Sequence, residues 1–181
     1  TPLDGNLALP EGVRQTPVVA WRAGVARPGS DHLAEEVPVA LVFNGISHAV
    51  MLATPADLED FALGFALTEG LVSEAGEVYG IDVEPTCEGI ELRLEVASAC
   101  EWRLRGRRRN LAGRTGCGLC GPESLGQVRR ALPAALPAVS LMPGVPGLAL
   151  RALREHQARQ ALTGAVHAAA WCDRDGRILL L

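Results

Sequence analysis

"VPVALVFNGISHAVMLATPADLEDFALGFALTEG", residues 37–70, changes its apolar period halfway along, and that change decides the fold class. In residues 37–52 two apolar runs flank Asn44-Gly45, the dipeptide most favoured in two-residue hairpin turns, so this half predicts a β-hairpin. Beyond Ala53 the spacing lengthens, and Leu58, Phe61, Ala62 and Phe65 recur at the three- and four-residue intervals of a helix. Thr54 is the expected N-cap, Pro55 suits the first helical position, Asp57 adds an acid to the first turn and Gly70 ends the helix. Leu63 and Leu67 make the second side apolar as well, so the helix is expected to lie buried against a sheet.

The same periods organise the rest of the chain. Residues 1–16 read as an irregular lead-in and "PVVAWRAG" (17–24) as a strand. "GIELRLEV" (89–96) alternates Ile90, Leu92, Leu94 and Val96 with Glu91, Arg93 and Glu95, the pattern of a half-exposed strand. Proline-bearing "LPAALPAVSLMPGVPG" (132–147) predicts an extended connection, and "LALRALREHQARQALT" (148–163) a helix ending before Gly164. "GAVHAAAWC" (164–172) reads as a buried strand because His167 is its one long polar side chain; "DRDG" then turns into "RILLL". Hairpins mixed with strand–helix alternation give an α/β (α+β) layered fold, a mixed sheet with helices packed on it. The expected organisation is an N-terminal extension and first strand over 1–36, then a domain over 37–181. Because the sequence stops within an apolar strand, that domain is expected to be incomplete at its C-terminal end.

Composition narrows the function. With 48% apolar and 21% charged residues the chain is globular. It has no apolar run of the ~18 residues that a spanning helix needs, and no signal peptide is read at its start. Five cysteines without regular spacing argue against a secreted disulfide framework, so a cytoplasmic setting is expected. A net charge of −4 argues against a nucleic-acid partner. The charge is uneven, however. All 17 basic residues are arginine, and "WRLRGRRRNLAGR" (102–114) holds Arg103, Arg105, Arg107, Arg108, Arg109 and Arg114 with no acid between Glu101 and Glu123.

That run leads into "GRTGCGLCGPESL" (113–125), where four glycines surround Cys117 and Cys120 and Pro122 opens a predicted helix. A cysteine near a helix N-terminus, beside arginines, has its thiolate favoured and its pKa lowered from ~8.5. Glycines remove bulk around the sulfur. Two other uses of Cys-x-x-Cys compete with this reading. Structural zinc needs four ligands, and the motif gives two; Cys172 and His167, or Cys87 and Cys100, are the other donors available. A thiol-disulfide oxidoreductase normally has a bulky residue between its cysteines, in a turn that follows an early strand. Deaminase chemistry is excluded on order: "VHAA" follows the cysteine pair and carries Ala169 where the general acid/base glutamate belongs. Cys87 and Cys100 read as packing residues, Phe61 and Phe65 as core, and Trp102 as core or interface, with stacking on a guanine as the other option.

Three segments, "NGISHAVMLATPADLEDFALGFALTEGLV" (44–72), "GRTGCGLCGPESL" (113–125) and "TGAVHAAAWCDRDG" (163–176), together resemble the family of the sulfur carrier protein FdhD, which acts in formate dehydrogenase maturation. The resemblance implies a cytidine deaminase-like fold, a homodimer, and persulfide sulfur accepted from a cysteine desulfurase on Cys117 and Cys120. Cys117 would hold the sulfur and Cys120 assist or relay it. It further implies delivery to the molybdenum cofactor in its bis-guanine-dinucleotide form, a transient ligand and not a tightly bound cofactor, for a client formate dehydrogenase. Arg107, Arg108, Arg109 and Arg114 are then expected to attract the phosphates of that cofactor. The family continues past "WCDRDG" with segments for nucleotide recognition that have no counterpart here, so the cofactor pocket is expected to be incomplete.

Overall fold

A computed structural model describes residues 9–106 and 138–181. The chain divides into two compact units: Thr1–Glu35 with Ala134–Leu181, and Glu36–Pro133.

The second unit carries the deciding stretch. Strands β3 (Val37–Phe43) and β4 (Ile46–Ala53) pair antiparallel around Asn44-Gly45, as the dipeptide predicts. Both turn residues have positive φ, 45° and 79°, the requirement of a turn whose twist matches its strands. The Asn44 side chain does more than turn the chain. Its Nδ2 donates to the Val96 carbonyl at 3.0 Å, and its Oδ1 accepts the Val96 N–H at 2.9 Å. A side-chain amide thus closes the sheet where a peptide group would.

β5 (Val78–Pro85) and β6 (Ile90–Val96) complete the sheet in the order β4-β3-β6-β5. β3 runs parallel to β6, while the other two pairings are antiparallel. The predicted mixed sheet is therefore present. Leu92, Leu94 and Val96 point inward; Leu92 and Leu94 pair in register with β3, Leu41 facing Leu92 and Phe43 facing Leu94, while Val96 faces Val78 of β5. Arg93 lies on the other face, bonded to Glu91 at 2.8 Å and Glu84 at 2.7 Å. Between β5 and β6, Gly89 has φ 153°, and a Cβ there would fall on the Pro38 carbonyl oxygen. Only glycine lets the two backbones approach this closely.

Helix α1 (Leu58–Thr68) buries Ala62, Phe65 and Ala66 in one cluster with Val39, Leu41, Phe43 and Leu92. It starts later than Thr54 predicts. The Thr54 carbonyl accepts the Ala56 N–H at 2.8 Å, and Asp57 is left-handed at φ 52°, so a right-handed helix begins only after it. Gly70 ends the helix as expected, at φ 63°, with the Leu71 N–H returning to the Ala66 carbonyl. Leu67, expected to be buried, is 38% exposed. The sheet covers one side of α1, and Leu67 lies on the other.

In the first unit, β1 (Val13–Arg22) and β2 (Val25–Ala34) form a ten-pair antiparallel ribbon turned by Ala23-Gly24. The strand expected at 17–24 is part of β1, which starts four residues earlier. Pro17 and Pro28 are tolerated because each strand of a two-stranded ribbon has one unpaired edge for a residue without an N–H. The helix expected over 148–163 is two helices, α3 (Val145–Glu155) and α4 (Ala158–Thr163), interrupted at Gln157 with φ −102° and ψ 67°. α4 packs on β2, and the Arg159 Nε donates to the Glu11 carbonyl at 2.9 Å. Gly164, at φ 64°, caps α4.

The buried strand expected at 164–172 is not formed. Residues 165–170 are irregular and largely exposed, and only Trp171–Cys172 (β7) pair, with Ile178–Leu180 (β8). Ala168, Ala169 and Ala170 offer one methyl each, too little apolar area to drive the segment inside. The turn at Asp173–Gly176 does form, and Asp173 Oδ1 accepts the N–H groups of Asp175 and Arg177 at 3.0 and 2.9 Å.

Candidate functional site

Cys117, Cys120, Arg107, Arg108, Arg109 and Arg114 lie outside the described residues. What the structure defines is the element from which their segment departs. After β6 a single 3-10 turn (Ser98–Cys100) leads into α2 (Glu101–Gly106). The reason is local: Ala97 accepts the Cys100 N–H at 2.8 Å, and Leu104, buried, gives the short helix an inner face.

Arg103 fixes that helix in place. Its Nε donates to the Leu71 carbonyl at 3.0 Å, Nη1 to the Ser73 Oγ at 3.0 Å, and Nη2 to Glu77 Oε2 at 2.7 Å and to the Cys100 Sγ at 2.8 Å. The guanidinium fork thereby ties α2 to the connection between α1 and β5. The Arg103 and Glu77 side chains are 18% and 22% exposed, so the pair is shielded more than a surface ion pair. Glu77 Oε2 also accepts the Ser73 N–H at 2.6 Å. That bond, followed by the Arg103 guanidinium, holds the Glu77 carboxyl below the usual carboxylate range. Glu77 in turn raises the pKa of Arg103.

Arg103 belongs to the arginine run of 102–114 but is not among the four residues, Arg107, Arg108, Arg109 and Arg114, expected to attract phosphates. Arg103 is occupied by Glu77 and by backbone and hydroxyl acceptors. The clasp was missed from sequence because Glu77 lies 26 residues away from Arg103, beyond any local charge pattern.

The other candidate residues fall in both units. Cys87 is exposed in the turn between β5 and β6, Cys100 is buried under the Arg103 fork, and Cys172 is partly buried in β7. His167 is exposed, in the segment that was expected to be a buried strand. Among the described residues no group of three His, Cys, Asp or Glu side chains is arranged to hold a metal ion. Phe61 and Phe65 pack against the core as expected. His48 was not singled out from sequence, yet it is 6% exposed, with its ring edge-on to Phe43 at 5.6 Å and to Phe65 at 6.1 Å. Trp102, read as core or interface, stands 74% exposed on α2. Among the described residues no helix is long and apolar enough to cross a membrane.

Known proteins with similar sequences share a name. The chain is 53% identical over 172 residues to the sulfur carrier protein FdhD of Variovorax paradoxus, covering 95% of this chain and 62% of that protein. It is 56% identical to the FdhD of Cupriavidus necator, covering 91% of this chain and 57% of the relative. The FdhD of Bordetella petrii is 51% identical, with 91% and 60% covered. The chain thus spans about three fifths of the length of these relatives. A solved structure of a candidate formate dehydrogenase accessory protein from Desulfotalea psychrophila aligns at 25% identity and a TM-score of 0.41, covering 46% of this chain and 37% of that one. The model of the FdhD/NarQ family matches residues 34–181, a span that contains the Cys-x-x-Cys turn. On this match, over most of its length, the chain belongs to the FdhD/NarQ family.

Proposed function

We propose that this chain carries sulfur as a persulfide on its Cys-x-x-Cys turn and serves the maturation of a formate dehydrogenase. The observation that carries the reading is the family match across 34–181, with relatives named as sulfur carriers at 50% identity or more. The chemistry follows from the thiol turn. A Cys117 thiolate, favoured by neighbouring arginines, attacks the terminal sulfur of a cysteine desulfurase persulfide. The donor S–S bond breaks, the desulfurase leaves as a thiolate, and Cys117 gains the sulfane sulfur. Cys120 then either attacks the Cys117 Sγ, forming the Cys117–Cys120 disulfide as the sulfane sulfur leaves as hydrosulfide, or attacks the sulfane sulfur itself, taking the persulfide as Cys117 leaves as a thiolate.

The acceptor in this reading is the molybdenum cofactor in its bis-guanine-dinucleotide form, bound transiently as substrate. Arg107, Arg108, Arg109 and Arg114 are proposed to attract its phosphates through charge-assisted bonds. Homodimer formation and a cytoplasmic location belong to the same proposal.

Incubation with a cysteine desulfurase and sulfur-labelled cysteine tests the donor step. Label should be retained on a non-reducing gel, lost on reduction, and lost in Cys117→Ala. Label absent from the wild-type chain, with tightly held zinc in its place, refutes the reading. Rapid reduction of insulin disulfides would point to an oxidoreductase instead.

A further inference from the structure

We propose that two copies of this chain dock by exchanging their β1–β2 ribbons, each ribbon lying on the outer face of the other copy's β4-β3-β6-β5 sheet. The register of the ribbon places Pro17, Val19 and Trp21 of β1 on one face with Ala26 and Pro28 of β2. All five are exposed, Trp21 at 72%. A two-stranded ribbon is marginal in water by itself and gains stability when an apolar face is covered. Pro17 and Pro28 remove N–H donors from its edges, so a partner comes onto the face and not alongside as a further strand.

The sheet offers the matching surface. On its outer face Leu52 pairs with Pro38 and Val50 with Ala40, and Val42 extends the same apolar strip. Leu52 and Val50 are 65% and 54% exposed. This apolar half is two strands wide, as the ribbon is. Beside it, on β6 and β5, the outer face carries Glu91, Glu95, Asp82 and Glu84 around one arginine, Arg93. Arg93 is bonded to Glu84 and Glu91, which leaves Asp82 and Glu95 without an ion pair among the described residues.

The ribbon has the opposite charge. Between Glu11 and Asp31 the chain holds Arg14, Arg22 and Arg27 and no acid. Arg14 pairs with Glu35, whereas Arg22 and Arg27 form no ion pair among the described residues. Those two stand on the second face of the ribbon, one on each strand, and their long stems can carry a guanidinium past the edge of so narrow a ribbon. Apolar surface then meets apolar surface, and arginine meets carboxylate, which selects a second copy as the occupant. A lipid surface would gain only about 1 kcal/mol from each of the two arginines. The exchange is reciprocal and closes on two copies. A face of 10 residue pairs is about 33 Å by 10 Å, and each copy buries one ribbon face and one sheet face, together approaching the ~800 Å² per partner of a stable interface.

This docking rests on the homodimer reading, to which it gives surfaces, and sedimentation equilibrium of the chain tests both. The wild-type chain should be a dimer, and Trp21→Ala and Leu52→Ser should each weaken dimerisation about tenfold or more, the effect of losing a buried anchor. A chain with Arg22→Glu and Arg27→Glu, and another with Asp82→Arg and Glu95→Arg, should each stay monomeric. An equimolar mixture of those two should dimerise, because every basic surface in it again meets an acidic one. Dimerisation of the mixture also shows that both variants are folded. A dimer indifferent to Trp21→Ala and Leu52→Ser overturns the exchanged ribbons and leaves the homodimer standing, and a mixture that stays monomeric overturns the pairing of these two faces. A wild-type chain that is monomeric at every concentration overturns both readings.

Discussion

Replacing Asn44 should unfold the second unit more easily, and three substitutions separate the reasons. Asn44 supplies two hydrogen bonds to the Val96 backbone, at 3.0 and 2.9 Å, and occupies φ 45°. Each bond contributes about 0.5–1.5 kcal/mol net, and Val96 is 3% exposed, so water cannot readily replace them. Asn44→Gly keeps the turn geometry and loses only the bonds, a cost of about 1–3 kcal/mol. Asn44→Ala loses the bonds and adds about 1–2 kcal/mol for a Cβ in the left-handed region, about 2–5 kcal/mol in all. Asn44→Asp keeps the acceptor for the Val96 N–H but sets a carboxylate oxygen against the Val96 carbonyl. Its deficit should shrink in acid, where a protonated carboxyl can donate. Urea unfolding followed by far-UV circular dichroism reads all three, with an unchanged m-value confirming a common unfolded state. If Ala is no worse than Gly, or both cost under about 0.5 kcal/mol, the side-chain clasp is not what closes the sheet.

Three further outcomes follow from the packing and the charges. Leu92→Ala, at a fully buried position facing Leu41, should cost about 2–5 kcal/mol in the same assay. Gly89→Ala should destabilise by more than about 2 kcal/mol through its clash with the Pro38 carbonyl, while Gly80→Ala, with nothing near its Cβ, should stay within about 1 kcal/mol of wild type. Glu77 is held below its ordinary pKa, so its clasp contributes above about pH 4.3 and is lost as the pH falls through the folded value. Glu77→Gln should therefore be less stable than wild type near neutrality, with the difference closing in acid; a difference constant with pH would contradict this.

What the sequence makes legible follows the range of the forces involved. Asn44-Gly45, the alternation of 90–96 and the helical spacing of Leu58, Phe61, Ala62 and Phe65 are local signals, and each appears as its expected element. The start of α1 is also local, but two signals compete there: the cap at Thr54 loses to the left-handed Asp57. β2 was not readable because Pro28, Gly29, Ser30 and Asp31 spell a turn, and only pairing along β1 draws them into a strand. The segment 164–170 misled for the opposite reason, since an absence of polar side chains is not apolar bulk. The clasp of Arg103 depends on a partner 26 residues away and has no local signature. Chemistry was legible only as motif: the Cys-x-x-Cys turn and its arginines are read from sequence, and the structure adds the anchored helix that precedes them.

Sulfur on Cys117 is the central claim, and site-resolved mass spectrometry tests it most directly. The chain is incubated with a cysteine desulfurase and cysteine, alkylated without reductant, and digested beside Cys117→Ala and Cys120→Ala. The account predicts one additional sulfur atom on the Cys117 peptide, removable by reductant, absent in Cys117→Ala and still acquired in Cys120→Ala. An unmodified Cys117 peptide, or sulfur on Cys87, Cys100 or Cys172 instead, would contradict it.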